Sequence, residues 1–211
     1  MAEPALVDND VVLKLCCYGY HESLGEAVGH AAVGMLSIAR HVLRDAMRRS
    51  RSIAHRDKVV EALEGAFASS IMLVVDEAEL ALATEFAERA ARVGVDLDTG
   101  EAQLLAILLS RAAPLLVTGD KRAVMAIAEL GLTGAHGRVA CLEQVLAALV
   151  DLHGTQAVRA AVCAEPAVDR AATTCFACSA DTVSEEDVRA GLESYVGDLR
   201  RRGGPVLVGF G

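Results

Sequence analysis

Tryptophan is absent from the 211-residue chain, and aromatic residues make up only 3% of it. Carbohydrate platforms and base-stacking RNA sheets depend on such rings, so both classes are disfavoured. Positive charge is also scarce. Twenty Lys and Arg face 29 Asp and Glu, a net charge of −9, which excludes a uniformly basic nucleic-acid coat but leaves room for a local patch. Long apolar runs are missing too. The longest charge-free apolar stretches, Ala27–Ala39 and Gly65–Val75, are 13 and 11 residues, too short to span a bilayer. The opening MAEPALVDND has no basic segment ahead of an apolar one, so no secretory signal is expected there. Neither a GxxxxGK[ST] loop nor a GxSxG elbow occurs, which disfavours a P-loop NTPase and a serine hydrolase.

Apolar residues, at 53%, are plentiful enough for a large buried core. Six cysteines, two of them adjacent (Cys16 and Cys17), read as reduced thiols of a cytoplasmic protein rather than a disulfide framework. Short branched-apolar runs alternate with helical patterns. Ala5–Val7, Ser70–Val75, Gly94–Leu97, Pro114–Thr118 and Arg138–Cys141 read as strands. Residues 22–69 read as helices, with a break near Ser50–Ser52. Further helices are expected over Ala78–Val93, Gly100–Ser110, Lys121–Leu130 and Leu142–Leu152. The alternation predicts a parallel sheet covered on both faces, in a domain spanning residues 1–152. Residues 153–211 read as a helical C-terminal extension.

Acid follows almost every strand. Asp8 comes after ALV, Asp76 and Glu79 after IMLVV, Asp98 and Glu101 after VDL, and Asp120 after LLVTG. In an open parallel sheet those strand ends share one edge, where ligands bind. Capping explains each acid singly, since Asp76–Glu79 and Asp98–Glu101 are both D-x-x-E pairs of the helix-start type. Four together are less easily explained that way, because Ser, Thr or Asn would cap without accumulating charge. Converging carboxylates raise one another's pKa unless a cation neutralises them. An all-oxygen cluster suits Mg²⁺ or Mn²⁺, ions used in phosphodiester cleavage. A metal-dependent phosphatase is the weaker variant, because no D-x-D-x-T follows the first strand.

The segments LVDND, DEAELALATEF and DTGEAQLLAILLSRAAPLLVTGDKRA resemble a PIN domain, the family that includes the ribonuclease toxins of bacterial toxin–antitoxin pairs. The likeness covers most of residues 4–150 and is most specific from Glu101 to Asp120. It implies a three-layer α/β/α sandwich and an Mg²⁺- or Mn²⁺-dependent endoribonuclease. Asp8, Glu79, Glu101 and Asp120 fall at the family's acidic positions. On that likeness, Asp8 and Asp120 are direct metal ligands, while Glu79 and Glu101 ligate the ion or hold its water. Thr118 supports Asp120 from behind, and Asp98 competes with Glu101 for the third acidic slot. Asp10 stands where Asn or Ser is usual and adds a fifth carboxylate. The separation of about 70 residues between Asp8 and Glu79 implies an inserted helical hairpin over residues 22–69. RNA is the implied substrate. An antitoxin or other protein partner and a homodimer are left open, and no membrane partner is expected. The alternative is a catalytically silent PIN-like module that binds RNA or a protein.

Two further features stand outside the acids. Residues 40–58 carry seven basic and two acidic side chains, leaving −14 for the rest of the chain. Arg40, Arg44, Arg48 and Arg51 form one helical stripe, which reads as a solvated face, as an RNA phosphate track or as a dock for an acidic partner. Cys175 and Cys178 form a CxxC with Cys163 and His153 upstream. Buried free thiols explain these better than zinc, since the second half of a zinc motif is missing.

Overall fold

The computed structural model describes residues 3–50 and 53–209. Its chain order starts with β1 (Ala5–Val7), α1 (Asn9–Tyr18), α2 (Leu24–Ala27), β2 (Val33–Leu36), α3 (Ala39–Arg49) and α4 (Arg56–Ser69). There follow β3 (Ile71–Leu73), α5 (Glu77–Val93), α6 (Thr99–Ser110), β4 (Leu116–Thr118), α7 (Lys121–Glu129) and β5 (Val139–Cys141). Helices α8 (Leu142–His153), α9 (Thr155–Ala164), α10 (Arg170–Cys175) and α11 (Glu185–Gly203) complete the fold. The five strands pair in parallel in the order β3-β2-β1-β4-β5, forming the central layer of an α/β/α sandwich.

Alternation along each strand builds the layers. Ala5 and Val7 of β1 face a core shared with α1, α3, α4 and α8, whereas Leu6 faces a second core with α5, α6 and α7. With both faces covered, β1, β4 and the edge strand β5 are buried throughout, and only Thr118 among their residues is polar. Helix α5 ends at Gly94, whose φ of 77° supplies the left-handed C-cap. Residues 94–97 form no strand, contrary to expectation. They connect α5 to an antiparallel α6.

Residues 22–69 are not a purely helical insertion. Val33–Leu36 forms β2, which pairs with β1 on one side and β3 on the other. The apolar run Ala27–Ala39 carries no period that separates a buried helix from a buried strand. The vacant place between β1 and β3 decides the matter.

The C-terminal segment shares the cores of residues 1–152 instead of building its own. Val158, Val162, Phe176, Val188 and Leu192 join the first core, and Val196, Leu199, Val206 and Leu207 join the second. Leu207 bridges to Val139, and Gln144 donates to the Val208 carbonyl at 2.8 Å, so the tail covers the β5 edge.

The cysteines also differ from expectation. Cys163 and Cys178 form a disulfide, with Cα atoms 5.2 Å apart. Cys175, the other half of the CxxC, is a buried free thiol, while His153 contacts the Ser23 hydroxyl at 2.9 Å. Of the four side chains considered for zinc, two are therefore joined to each other, one is a buried thiol and one meets Ser23. Among the described residues, no helix is long and apolar enough to cross a membrane.

Candidate functional site

The strand order changes direction between β1 and β4. The chain builds outward from β1 through β2 and β3, then returns to β1's other side as β4. The crevice outside the carboxyl ends at such a switch is where open α/β sheets bind ligands. Asp8 leaves β1 there, with its backbone N–H donating to the Val117 carbonyl of β4 at 2.9 Å. Asp120 leaves β4 alongside. A cleft of about 490 Å³ opens between them, and Asp8, Asp10, Asp98, Glu101 and Asp120 all line it.

Local rules seat each acid. Asp8 caps α1 by accepting from the Asp10 N–H at 3.4 Å. Asp98 and Glu101 form a capping box at the start of α6, with reciprocal bonds of 3.0 and 2.7 Å. Asp120 caps α7 by accepting from the Arg122 N–H at 2.8 Å. The buried Thr118 hydroxyl accepts from the Asp120 N–H at 3.1 Å, so it supports that acid from behind. Gly119 lets the two turns meet. A Cβ there would collide with the Asp10 carboxylate and come within 3.3 Å of the Lys14 ammonium.

Charge is unevenly settled in the cleft. Burial, helped by the charges of Asp10 and Asp98, pushes Asp8 up to about 6. Burial pushes Glu101 up to about 8, with Asp98, Asp120 and Asp8 adding to the effect. Asp120 goes the other way, because Arg122 grips its carboxylate at 2.6 Å and outweighs the effect of burial. Lys14 bridges Asp10 at 2.5 Å and Asp169, the α10 cap, at 2.6 Å. Those two carboxylates hold the ammonium charged against the effect of burial.

Glu79 is not in this cleft. It begins α5 in a capping box with Asp76. Its carboxylate accepts from Ser110 at 3.0 Å and from Arg111 at 2.6 and 2.7 Å. Ser110 ends the helix whose first turn holds Glu101, nine residues earlier, so the two acids contact opposite ends of α6, about 13 Å apart along its axis. Arg111 draws the Glu79 pKa down to about 2. The expectation that Glu79 shares a metal with the other three acids fails, because its oxygens are already occupied.

The arginine stripe lies apart as well. Arg44 and Arg48 line a groove between α3 and α4 that shares no residue with the acidic cleft. Arg44 pairs with Glu64 at 2.6 Å, and Arg40 donates to the Phe67 carbonyl at 3.2 Å. Arg51 falls outside the described residues.

Lys14, Lys121, Arg122 and Glu143 were not foreseen. The first three line the cleft, and Glu143, buried in the first turn of α8, sits 3.9 Å from the Lys121 ammonium. Glu143 follows β5 just as the other acids follow their strands, so the same rule would have found it.

Among the described residues, no group of three or more His, Cys, Asp or Glu side chains is arranged to hold a metal ion as it stands. The donor chemistry still fits a hard divalent cation. Among the described residues Asp8 and Glu101 form no salt bridge, and the Arg122 side chain holding Asp120 is largely exposed, so it can swing away. No protein-family model matches the chain, and no curated protein matches it.

Proposed function

We propose that the protein is an Mg²⁺- or Mn²⁺-dependent endoribonuclease of PIN type, working from the cleft between β1 and β4. One observation carries the reading. Five carboxylates gather at the topological switch point, and burial and mutual repulsion hold two of them partly protonated near neutral pH. Structural acids find partners, as Glu79 does with Arg111. Acids without partners in a cleft are characteristic of functional sites.

In this reading Asp8, Glu101 and Asp120 hold the ion, and Asp98 and Thr118 fix Glu101 and Asp120. A divalent ion there supplies charge stabilisation for a phosphodiester under attack and acidifies water. Glu101, ionised once a cation sits beside it, would orient the attacking water and take its proton. Glu79 has no part in the chemistry.

The Lys14–Asp10 and Arg122–Asp120 pairs favour a second reading, in which protein cations permanently neutralise the acids and the cleft is catalytically silent. Melting with Mn²⁺ separates the two. At a hundredfold excess over its Kd, bound metal stabilises by about 2.7 kcal/mol. Under the first reading Asp8→Asn reduces that shift, and Asp120→Asn abolishes Mn²⁺-dependent cleavage of single-stranded RNA. A wild-type protein that neither shifts nor cleaves supports the second.

A further inference from the structure

A polyanion approaching five carboxylates needs positive charge beside them, and the molecule carries it on one flank. Next to the acidic cleft lies a second groove of about 240 Å³, lined by Val95, Asp96, Lys121, Arg122, Met125 and Arg202. Lys121 and Arg122 line both, so the two concavities adjoin at the start of α7. Counting lining side chains as ionised, the cleft is net −2 and the groove net +2, both figures including the shared Lys121 and Arg122.

We propose that this groove carries the backbone of a single-stranded polynucleotide, with Arg202 and Arg122 binding the phosphates next to the one held at the acids. The proposal rests on the ribonuclease reading above and names where its substrate lies. Both arginines are free to exchange partners. Arg202 is 61% exposed and its contact with Asp198 is long, at 3.5 Å. Arg122 is 72% exposed and lies 3.7 Å from Asp96, but it also grips Asp120 at 2.6 Å and reaches a phosphate only by leaving that carboxylate to the ion. Exposed pairs of this kind contribute little, so a phosphate displaces them at small cost. Lys121 is held in place, its ammonium 4.0 Å from the Tyr195 ring centre and 3.9 Å from Glu143. No aromatic ring lines the groove, so the recognition is of phosphate charge and not of stacked bases. The arginine stripe on α3 is the competing path, but its groove shares no residue with the acidic cleft.

The test is fluorescence anisotropy with a labelled oligouridylate and the matching DNA, in EDTA, over a salt series. Arg202→Glu is expected to weaken binding at least fivefold at low salt and to lower the salt slope by about 0.7 for each phosphate no longer neutralised. Arg202→Gln, which only removes charge, gives a smaller loss in the same direction, and Arg44→Glu leaves binding unchanged. RNA and DNA respond alike, since the groove offers charge alone. The proposal is overturned if Arg202→Glu leaves affinity and slope untouched, if Arg44→Glu carries the loss instead, if only one sugar responds, or if neither strand binds. The Mn²⁺ melting shift of the Arg202 variants stays at the wild-type value. If the wild type shows no such shift while Arg202 still governs binding, the ribonuclease reading falls and the groove stands.

Discussion

Helices α5 and α6 begin with the same four-residue arrangement. Asp76 and Glu79 exchange hydrogen bonds of 3.0 and 2.8 Å, and Asp98 and Glu101 exchange bonds of 3.0 and 2.7 Å. Both glutamates are buried in the third position of a capping box. Yet Glu79 is drawn down to about 2 and Glu101 is pushed up to about 8. The difference lies in what each meets across the helix pair. Glu79 meets Arg111 and Ser110, whereas Glu101 meets Asp8, Asp98 and Asp120. One motif thus makes a structural ion pair at one end of α6 and a strained carboxyl at the other.

The largest effect expected from breaking this contrast is at Arg111. Arg111→Ala leaves the Glu79 carboxylate buried without a cation and should cost about 3 kcal/mol or more in urea unfolding. The same change of one charge at the two glutamates should then act in opposite directions. Glutamine keeps the capping box in both cases. Glu79→Gln loses a charge-assisted bond and should destabilise by about 1.5–3 kcal/mol at pH 7. Glu101→Gln removes a carboxylate that resists ionising and should stabilise by about 1–2 kcal/mol at pH 8. If the two variants shift in the same direction, the contrast between the two sites is wrong.

The pH dependence sharpens it further. Glu101 binds its proton more tightly in the folded state than its ordinary value of 4.5. Stability is therefore fully present below pH 4.5 and falls as pH rises towards 8. Glu79 binds its proton less tightly when folded, so its contribution is present above pH 4.5 and lost as pH falls towards 2. Glu101→Gln should flatten the first limb and Glu79→Gln the second, read by denaturation at a series of pH values. The smallest effect is at the caps. Asp76→Ala and Asp98→Ala remove equivalent bonds and should each cost about 1 kcal/mol, with Asp98→Ala the lesser because it also relieves repulsion on Glu101.

Much of the site was legible because it is written in short-range terms. The acids after β1 and β4, the two capping boxes and the hydroxyl of Thr118 all follow from spacing over a few residues. Strand β2 was not legible, because an apolar run buried on both faces carries no period to separate helix from strand. The pairing of Cys163 with Cys178 and the hold of Lys14 on Asp169 were equally hidden, since each joins residues whose meeting depends on how the C-terminal helices pack.

The sequence by itself determined where the acids stand along the chain, which helices they begin, and that a parallel sheet would gather their strands. Only the tertiary structure decided which of those acids share a cleft and which is neutralised. A cap is a bond between neighbours three residues apart, so its chemistry is local. The charge state of a buried carboxyl depends on the nearest opposite charge, and for Glu79 that charge arrives 32 residues later, on Arg111. Among the described residues Glu101 forms no such ion pair, and it faces the other acids instead.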